Sequence, residues 1–179
     1  MNHTHQPVYR VLRADWSDPL DASFSQGARA GNRWNNPDFP ALYCCCSERV
    51  ARAVVLDVFR LYQVDPRDLQ PDIQPQLIEL SWAGDVVDIS SAEGIRRAGF
   101  PADYPHGVTK HQTRQAGSAW HSSGAHGVVC RSASLARLTF SRWEGEHQPW
   151  SELAVFTLNS PQLPRLLRRR DDLEWFQRT

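Results

Sequence analysis

Length, composition and charge set the first limits on this chain. It has 179 residues, of which 41% are hydrophobic and 22% charged, which excludes an intrinsically disordered or collagen-like protein. The 20 basic and 20 acidic residues balance to a formal net charge of zero, which argues against direct nucleic-acid binding. No apolar stretch approaches the roughly 20 residues that span a membrane, and the polar N-terminus has no apolar signal core.

In chain order, the first third predicts two strands, a long loop and a helix. Residues 8–12 form a predicted strand, and residues 15–40 are rich in Asp, Asn, Ser, Gly and Pro, which indicates a loop. Long ordered loops often carry function. Residues 41–46 are apolar throughout and predict a buried strand. Ser47 is the predicted N-cap of a helix that ends near Gln63.

The rest of the chain mixes strands and helices without a regular alternation. The predicted elements are strands over 76–82, 85–89, 127–131 and 153–158, and helices over 91–98, 109–122 and 161–170. This order favours an α+β fold over a doubly wound sheet. We expect a single compact domain over residues 1–179, with its core over about 7–158 and a C-terminal helical segment over about 159–179.

The cysteines indicate a reducing compartment. Cys44, Cys45 and Cys46 are consecutive, and adjacent residues on a strand point to opposite faces, so they do not easily form a disulfide with one another. Cys130 stands alone, and the chain has no paired cysteine or histidine spacing of a zinc site. We therefore expect a cytoplasmic protein with free cysteines and no bound metal.

The loop and strand around residue 40 hold the first candidate site residues. Arg33 lies in a polar loop beside Trp34, and a guanidinium held in this way can donate two hydrogen bonds to a phosphate or carboxylate. Tyr43 follows on an apolar strand and offers a flat ring and a hydroxyl. Composition alone favours the structural alternative, in which Trp34 belongs to the core, Arg33 donates to loop carbonyls and Tyr43 packs on its strand.

A second candidate site residue directly follows the predicted strand over 127–131. Ser132 follows this strand directly, and a serine there can donate to a ligand or cap the next turn. The residues alone leave both roles open.

The order of these motifs resembles the RES domain family, whose toxins pair with Xre-type antitoxins in bacterial toxin–antitoxin modules. The matching motifs are Tyr9-Arg10, Gly31 to Asn35 with Asn32 in place of the second Gly, Pro40 to Tyr43, the Thr113, Gly117, Ala119 and Trp120 set, and Gly127, Val128 and Ser132. The similarity runs from Tyr9 to about Leu158. It implies an ADP-ribosyltransferase-like fold of small twisted sheets flanked by helices.

The resemblance also implies chemistry on NAD as a substrate. RES toxins cleave the nicotinamide–ribose bond by hydrolysis or phosphorolysis, or transfer ADP-ribose to a protein, and the sequence leaves the acceptor open. An Xre-type antitoxin is the implied partner, because an enzyme that consumes NAD must be restrained in its own cell. A neutral chain with seven Trp residues also allows a homodimer through an exposed apolar patch.

The resemblance carries three functional residues onto this chain. Arg33 would hold a phosphate of NAD, Tyr43 would stack on nicotinamide or its ribose, and Ser132 would bond the nicotinamide or the nicotinamide ribose. Arg10 is a candidate second anion contact. The remaining candidate binding residues are Trp34, Asn35 and His121.

The family's catalytic glutamate does not carry over. It lies eleven residues past the tyrosine, and this chain has Val54 there. Asp57, one helical turn on, is the candidate substitute, although its side chain is one methylene shorter than that of Glu. The alternative role of Asp57 is a solvated residue at the helix edge or a partner of Arg60. The alternative function is a catalytically weakened protein that binds a nucleotide or a partner.

Overall fold

The computed structural model describes residues 2–3, 7–27, 31–139, 150–171 and 173–177. Its strands are β1 (Asn2–His3), β2 (Pro7–Arg13), β3 (Ala41–Cys45), β4 (Pro75–Ser81), β5 (Asp85–Ile89), β6 (Gly127–Arg131), β7 (Ser151–Phe156) and β8 (Arg165–Arg170). Its helices are α1 (Phe24–Gly27), α2 (Glu48–Tyr62), α3 (Ala92–Arg97), α4 (Lys110–Ser122), α5 (Ala133–Thr139) and α6 (Glu174–Gln177), with 3₁₀ turns at Pro66–Asp68 and Pro71–Ile73. The predicted α+β combination in a single domain is confirmed.

The strands form one mixed sheet in the order β1-β5-β6-β7-β3-β2-β4-β8. All described pairs are antiparallel except β5 with β6. The β2–β3 pair is joined by a single register pair, Tyr9 with Cys45, whereas β2 and β4 pair over seven residues. The sheet is therefore narrowly connected at its centre, and β7 lies between β6 and β3.

The two longest helices begin where their sequence signals predict. Ser47 caps α2 by accepting a hydrogen bond from the Val50 backbone N–H, and α2 ends before Gln63, which adopts a left-handed φ of +53°. Thr109 and Gln112 form a capping box at the start of α4. These caps satisfy backbone groups that a helix end would otherwise leave without partners.

Apolar clusters on both faces of the sheet form the core. One face of β3, β6 and β7 packs against Trp34, Tyr104 and the aromatic residues near α4. The cluster around α2 contains Val50, Ala53 and Leu77, with Val54 packed at its margin. No helix in the described ranges is long and apolar enough to cross a membrane. The four cysteines are free, as predicted.

The C-terminal segment differs from its prediction. Residues 165–170, expected to be helical, form strand β8, which pairs with β4 through contacts such as Leu80 with Leu166. The local run of Leu and Arg favours a helix, and pairing with the edge of β4 makes it a strand instead. Helix α5 was not predicted, and β7 begins at Ser151 instead of residue 153.

Candidate active site

The loop that carries Arg33 is fixed against helix α4 by close backbone packing. Gly117 of α4 lies so near the loop that a Cβ atom there would stand 2.0 Å from the Trp34 carbonyl oxygen. Gly31 opens the loop with a φ of +69°, a conformation that favours glycine. Arg114 donates to the carbonyls of Asn32 at 2.9 Å and Gly31 at 3.0 Å. The position of Arg33 is therefore set before any ligand binds.

Tyr43 and Asn35 hold the same loop from the sheet side. The Tyr43 hydroxyl accepts from the Trp34 backbone N–H at 2.8 Å and donates to Asn35 Oδ1 at 2.9 Å. The amide of the fully buried Asn35 donates to the carbonyls of Ser25 and Phe39. Burial raises the pKa of Tyr43, so its hydroxyl stays neutral. Both residues position the loop through these bonds.

Arg33 itself is a largely enclosed cation. Its guanidinium carbon lies 5.8 Å from the centre of the Trp34 ring and 5.6 Å from that of Tyr104. Its side chain is only 21% exposed, and its nearest carboxylate oxygen is Glu152 Oε2, 3.9 Å from Nη1. That distance is too long for a hydrogen bond. No other described residue accepts a hydrogen bond from this guanidinium, so its donors remain open to an anion.

Ser132 and Glu152 meet beside this arginine. Ser132 Oγ accepts from the Leu135 backbone N–H at 3.1 Å, which caps α5, and donates to Glu152 Oε1 at 2.6 Å. Ser132 is completely buried and the Glu152 side chain is 18% exposed. The capping role of Ser132 is thus present in the structure together with a bond to a candidate catalytic carboxylate.

The strand register explains why these side chains converge. Glu152 on β7 lies opposite Cys130 on β6 and Cys45 on β3, while Tyr43 lies opposite Ala154. Directly opposed residues project from the same face of a sheet, as do residues two apart on one strand. Tyr43, Cys130 and Glu152 therefore share one face, which we call the site face.

Three polar groups line the site face, although the residues that carry them belong to an apolar cluster: the Cys130 thiol, the Trp34 N–H and the Tyr104 hydroxyl. Burial raises the pKa of the Cys130 thiol to about 11, with an opposing effect from Arg33, so the thiol is neutral. The Trp34 indole N–H and the Tyr104 hydroxyl lie near this thiol and influence its pKa. Both groups are buried, and neither has a hydrogen-bond partner of good geometry among the described residues. The Cys130 sulfur is at most a weak acceptor for them, so both donors lack a strong acceptor among the described residues.

Two predicted binding residues lie outside this group. Arg10 donates to the carbonyls of Pro19 at 3.0 Å and Asp21 at 2.8 Å, so its guanidinium supports the loop after β2. His121 stacks on Phe39 with ring centres 4.0 Å apart, and burial lowers its pKa. The bonds of Arg10 lie away from the site face. His121 also contacts Phe156, which projects from the same face of β7 as Glu152, and its Nε2 has no hydrogen-bond partner among the described residues.

Asp57, the candidate substitute for the missing glutamate, is also elsewhere. Both of its carboxylate oxygens accept from Arg137 Nε, at 3.1 and 2.9 Å, and Arg60 lies 3.9 Å away. These bonds join α2 to α5, and the structure does not bring Asp57 to Arg33. The expected ion pair with Arg60 is present, but at a longer distance than the hydrogen bonds from Arg137.

Glu152 is the residue that the sequence analysis missed. The predicted strand begins at 153, two residues later than β7, which leaves Glu152 in the preceding loop. Residues 153–156 are apolar on both faces, so the sequence has no alternation there, and the start of β7 at Ser151 and its register with β6 and β3 place Glu152 on the site face.

Comparison with known proteins agrees with the motif resemblance. No curated protein matches the chain. A chain in the crystal structure of the M. tuberculosis MbcT–MbcA toxin–antitoxin complex matches with a TM-score of 0.70 and 19% identity, over 93% of this chain and 84% of that one. At that identity the match shows the shared fold alone. The family model of the RES domain matches residues 7–177, and the chain therefore belongs to the RES domain family.

Proposed function

We propose that this RES protein cleaves the nicotinamide–ribose bond of NAD, as a toxin that an antitoxin restrains. The observation that carries the proposal is Arg33, a largely buried guanidinium for which no described residue accepts a hydrogen bond. A buried cation without a bonded partner is costly, and an anionic ligand removes that cost. The diphosphate of NAD supplies such an anion, and the planar guanidinium can bind it through two hydrogen bonds.

The surroundings of Arg33 also suit a dinucleotide. Trp34 and Tyr104 present aromatic rings, and hydrogen-bond donors that lack a strong acceptor among the described residues, within the same cluster. Binding sites of this kind combine apolar and aromatic walls with a few fixed polar groups. The loop is already held by Arg114 and Tyr43, so little ordering is needed when the ligand binds.

The toxin role rests on family membership and on the resemblance to a chain of a toxin–antitoxin complex. Loss of NAD would harm the cell that makes this protein, so the proposal includes a protein that blocks the site, of the Xre type that the family pairs with. It also places the enzyme in the cytoplasm, where NAD is abundant. The acceptor is water, phosphate or a protein side chain, and self-association into a homodimer is compatible with this function.

A second candidate function is a nucleotide-binding protein without turnover. The observation in its favour is Val54, which packs against the apolar cluster of α2. Helix α2 thus offers no carboxylate at the position where the family has its glutamate. In this alternative Arg33 and Tyr43 still form a nucleotide site.

The test measures free nicotinamide after incubation of the protein with NAD, together with NAD binding by calorimetry. Arg33→Ala is the site variant, and Arg97→Ala is the matched control, because Arg97 is 78% exposed on α3 and pairs only with Glu93 among the described residues. Nicotinamide release that Arg33→Ala abolishes and Arg97→Ala keeps supports the proposed function. Binding without release favours the second candidate, and neither binding nor release contradicts both.

A further inference from the structure

We propose that Glu152 is the carboxylate that contacts the nicotinamide ribose, in place of the glutamate that the RES family carries on helix α2. This inference rests on the proposed NAD cleavage. It assigns the charge that stabilises the reaction to strand β7, a different element from the one that the family motif indicates. Four points support it: the position of Glu152, a carboxylate oxygen that accepts no hydrogen bond from the described residues, the distance of Asp57 from the site, and the charge that the reaction requires.

The position of Glu152 is central to the site face. Strand β7 lies between β6 and β3, so Glu152 has Cys130 on one side and Cys45 on the other. Its carboxylate contacts Ser132, which the family resemblance places at the nicotinamide or its ribose, and lies 3.9 Å from Arg33. A group that binds the nicotinamide ribose at Ser132 therefore lies next to this carboxylate.

The carboxylate of Glu152 is only partly engaged. Oε1 accepts from Ser132 at 2.6 Å, whereas Oε2 accepts no hydrogen bond from any described residue. Each carboxylate oxygen can accept about two hydrogen bonds, so Oε2 has room for a ligand hydroxyl. The side chain is 18% exposed, which leaves a path from solvent to a carboxylate that is otherwise enclosed. An anion that only stabilises the fold would not need this open oxygen.

The other acidic candidate already has a partner on each oxygen. Both oxygens of Asp57 are bonded to Arg137, and Asp57 is 7% exposed. Moving it to Arg33 would break a partly buried ion pair and leave the Asp57 charge without its bonded partner. Among the described residues, Glu152 is the carboxylate in contact with both Ser132 and Arg33.

The chemistry requires a negative charge at this place. The bond between ribose C1′ and the nicotinamide ring nitrogen breaks, and its electron pair goes to that nitrogen, so the cationic ring leaves as neutral nicotinamide. Positive charge develops on C1′ and the ribose ring oxygen, and the Glu152 carboxylate stabilises it. An oxygen nucleophile, water or inorganic phosphate, then forms the new bond to C1′. When water attacks, one proton is released to solvent.

The test compares carboxamide variants of three acidic residues in the NAD assay, in buffers with and without inorganic phosphate. Glu152→Gln keeps the shape and can still accept from Ser132, but it removes the charge. We expect its kcat for nicotinamide release to fall about 10²–10³-fold while KM stays within about 3-fold. Glu79→Gln is the matched control, because Glu79 is half-buried on strand β4 of the same sheet. Asp57→Asn tests the rival carboxylate, and both of these variants should keep the wild-type kcat.

The outcomes separate this inference from the proposed function. Active wild-type protein with an equally active Glu152→Gln variant overturns the inference alone, as does a loss of kcat in Asp57→Asn that Glu152→Gln does not share. Wild-type protein that releases no nicotinamide in either buffer overturns the proposed function and the inference together. If Glu152→Gln does not fold, Glu152→Asp keeps the charge but withdraws it by one methylene. A lower kcat with unchanged unfolding midpoint then supports the inference, and a loss that follows the folded fraction contradicts it.

Discussion

Two regions of this protein each combine a buried carboxylate, an arginine and a serine, and they differ in how completely the carboxylate is bonded. The closed cluster joins α2 to α5 and consists of Asp57, Arg137 and Ser134. Arg137 donates to both carboxylate oxygens of Asp57, and these bonds together with Ser134 lower the pKa of Asp57 despite an opposing effect of burial. The carboxylate of Asp57 and the guanidinium of Arg137 are therefore paired within the fold.

The open cluster lies on the site face and consists of Glu152, Arg33 and Ser132. Its arginine and carboxylate stand 3.9 Å apart and are held by different elements, the loop after α1 and strand β7. The same residue types therefore stabilise the fold in one region and leave unused hydrogen-bonding capacity in the other. Burial of a charged group does not reveal its role, whereas the fraction of its donors or acceptors already in use does.

The largest expected contrast comes from removing the arginine of each cluster. Arg33→Ala should weaken NAD binding by about 10²-fold, because a charged hydrogen bond to phosphate is lost, and change the free energy of unfolding by about 1 kcal/mol or less. Arg137→Ala should leave NAD binding unchanged and lower the free energy of unfolding by about 1–3 kcal/mol, because it strands the buried Asp57. Calorimetry and urea unfolding measure the two quantities. Equal effects of both variants on NAD binding would contradict the contrast.

A smaller effect on the open cluster is expected from Gly117→Ala. The added Cβ meets the Trp34 carbonyl oxygen at 2.0 Å, so α4 and the Arg33 loop must separate. We expect a loss of about 1–3 kcal/mol in unfolding free energy, despite the better helix propensity of Ala, and NAD binding about 10-fold weaker. Gln115→Ala on the exposed side of α4 is the control and should change neither quantity. Unchanged NAD affinity in Gly117→Ala would show that the loop position is not critical.

The closed and open clusters also differ in how far the sequence predicts them. Arg33, Tyr43 and Ser132 belong to local motifs next to predicted strands, and the structure brings all three to the site face. Glu152 belongs there only because β7 lies between β6 and β3, and that strand order is a long-range property that local patterns do not contain.

The partner of Asp57 was not predicted, for the same reason. Asp57 follows Val54 by one helical turn, which makes it a reasonable substitute when only α2 is considered. Its true partner is Arg137, eighty residues away on α5, a helix that the sequence analysis did not predict. In β8, pairing with β4 likewise outweighed the local pattern that favoured a helix. Elements with strong caps were predicted well, and roles that depend on distant partners were not.

Acid pH should weaken the closed cluster selectively. The pKa of Asp57 is lowered in the fold, so its ion pair contributes stability above the unfolded pKa of about 3.9, and this contribution is lost as the pH falls through the lower folded value. Asp57→Asn should therefore cost about 1–2 kcal/mol near pH 6, and the difference from wild type should shrink toward about pH 3. Urea unfolding at several pH values measures this difference. A difference that is constant with pH would show that the charge of Asp57 is not what stabilises the interface.

The smallest expected effect tests whether Glu152 already acts as the carboxylate of the reaction. Val54→Glu restores the family residue on α2, and Val54→Gln adds similar bulk without charge. Because Glu152 already supplies a negative charge at the site face, a second carboxylate should raise kcat for nicotinamide release by less than about 3-fold over Val54→Gln. Burial of a charge against the α2 cluster should also cost about 1–3 kcal/mol of stability. A gain in kcat of more than about 10-fold would mean that the natural site lacks an effective carboxylate, and that Glu152 serves the fold in the way that Asp57 does.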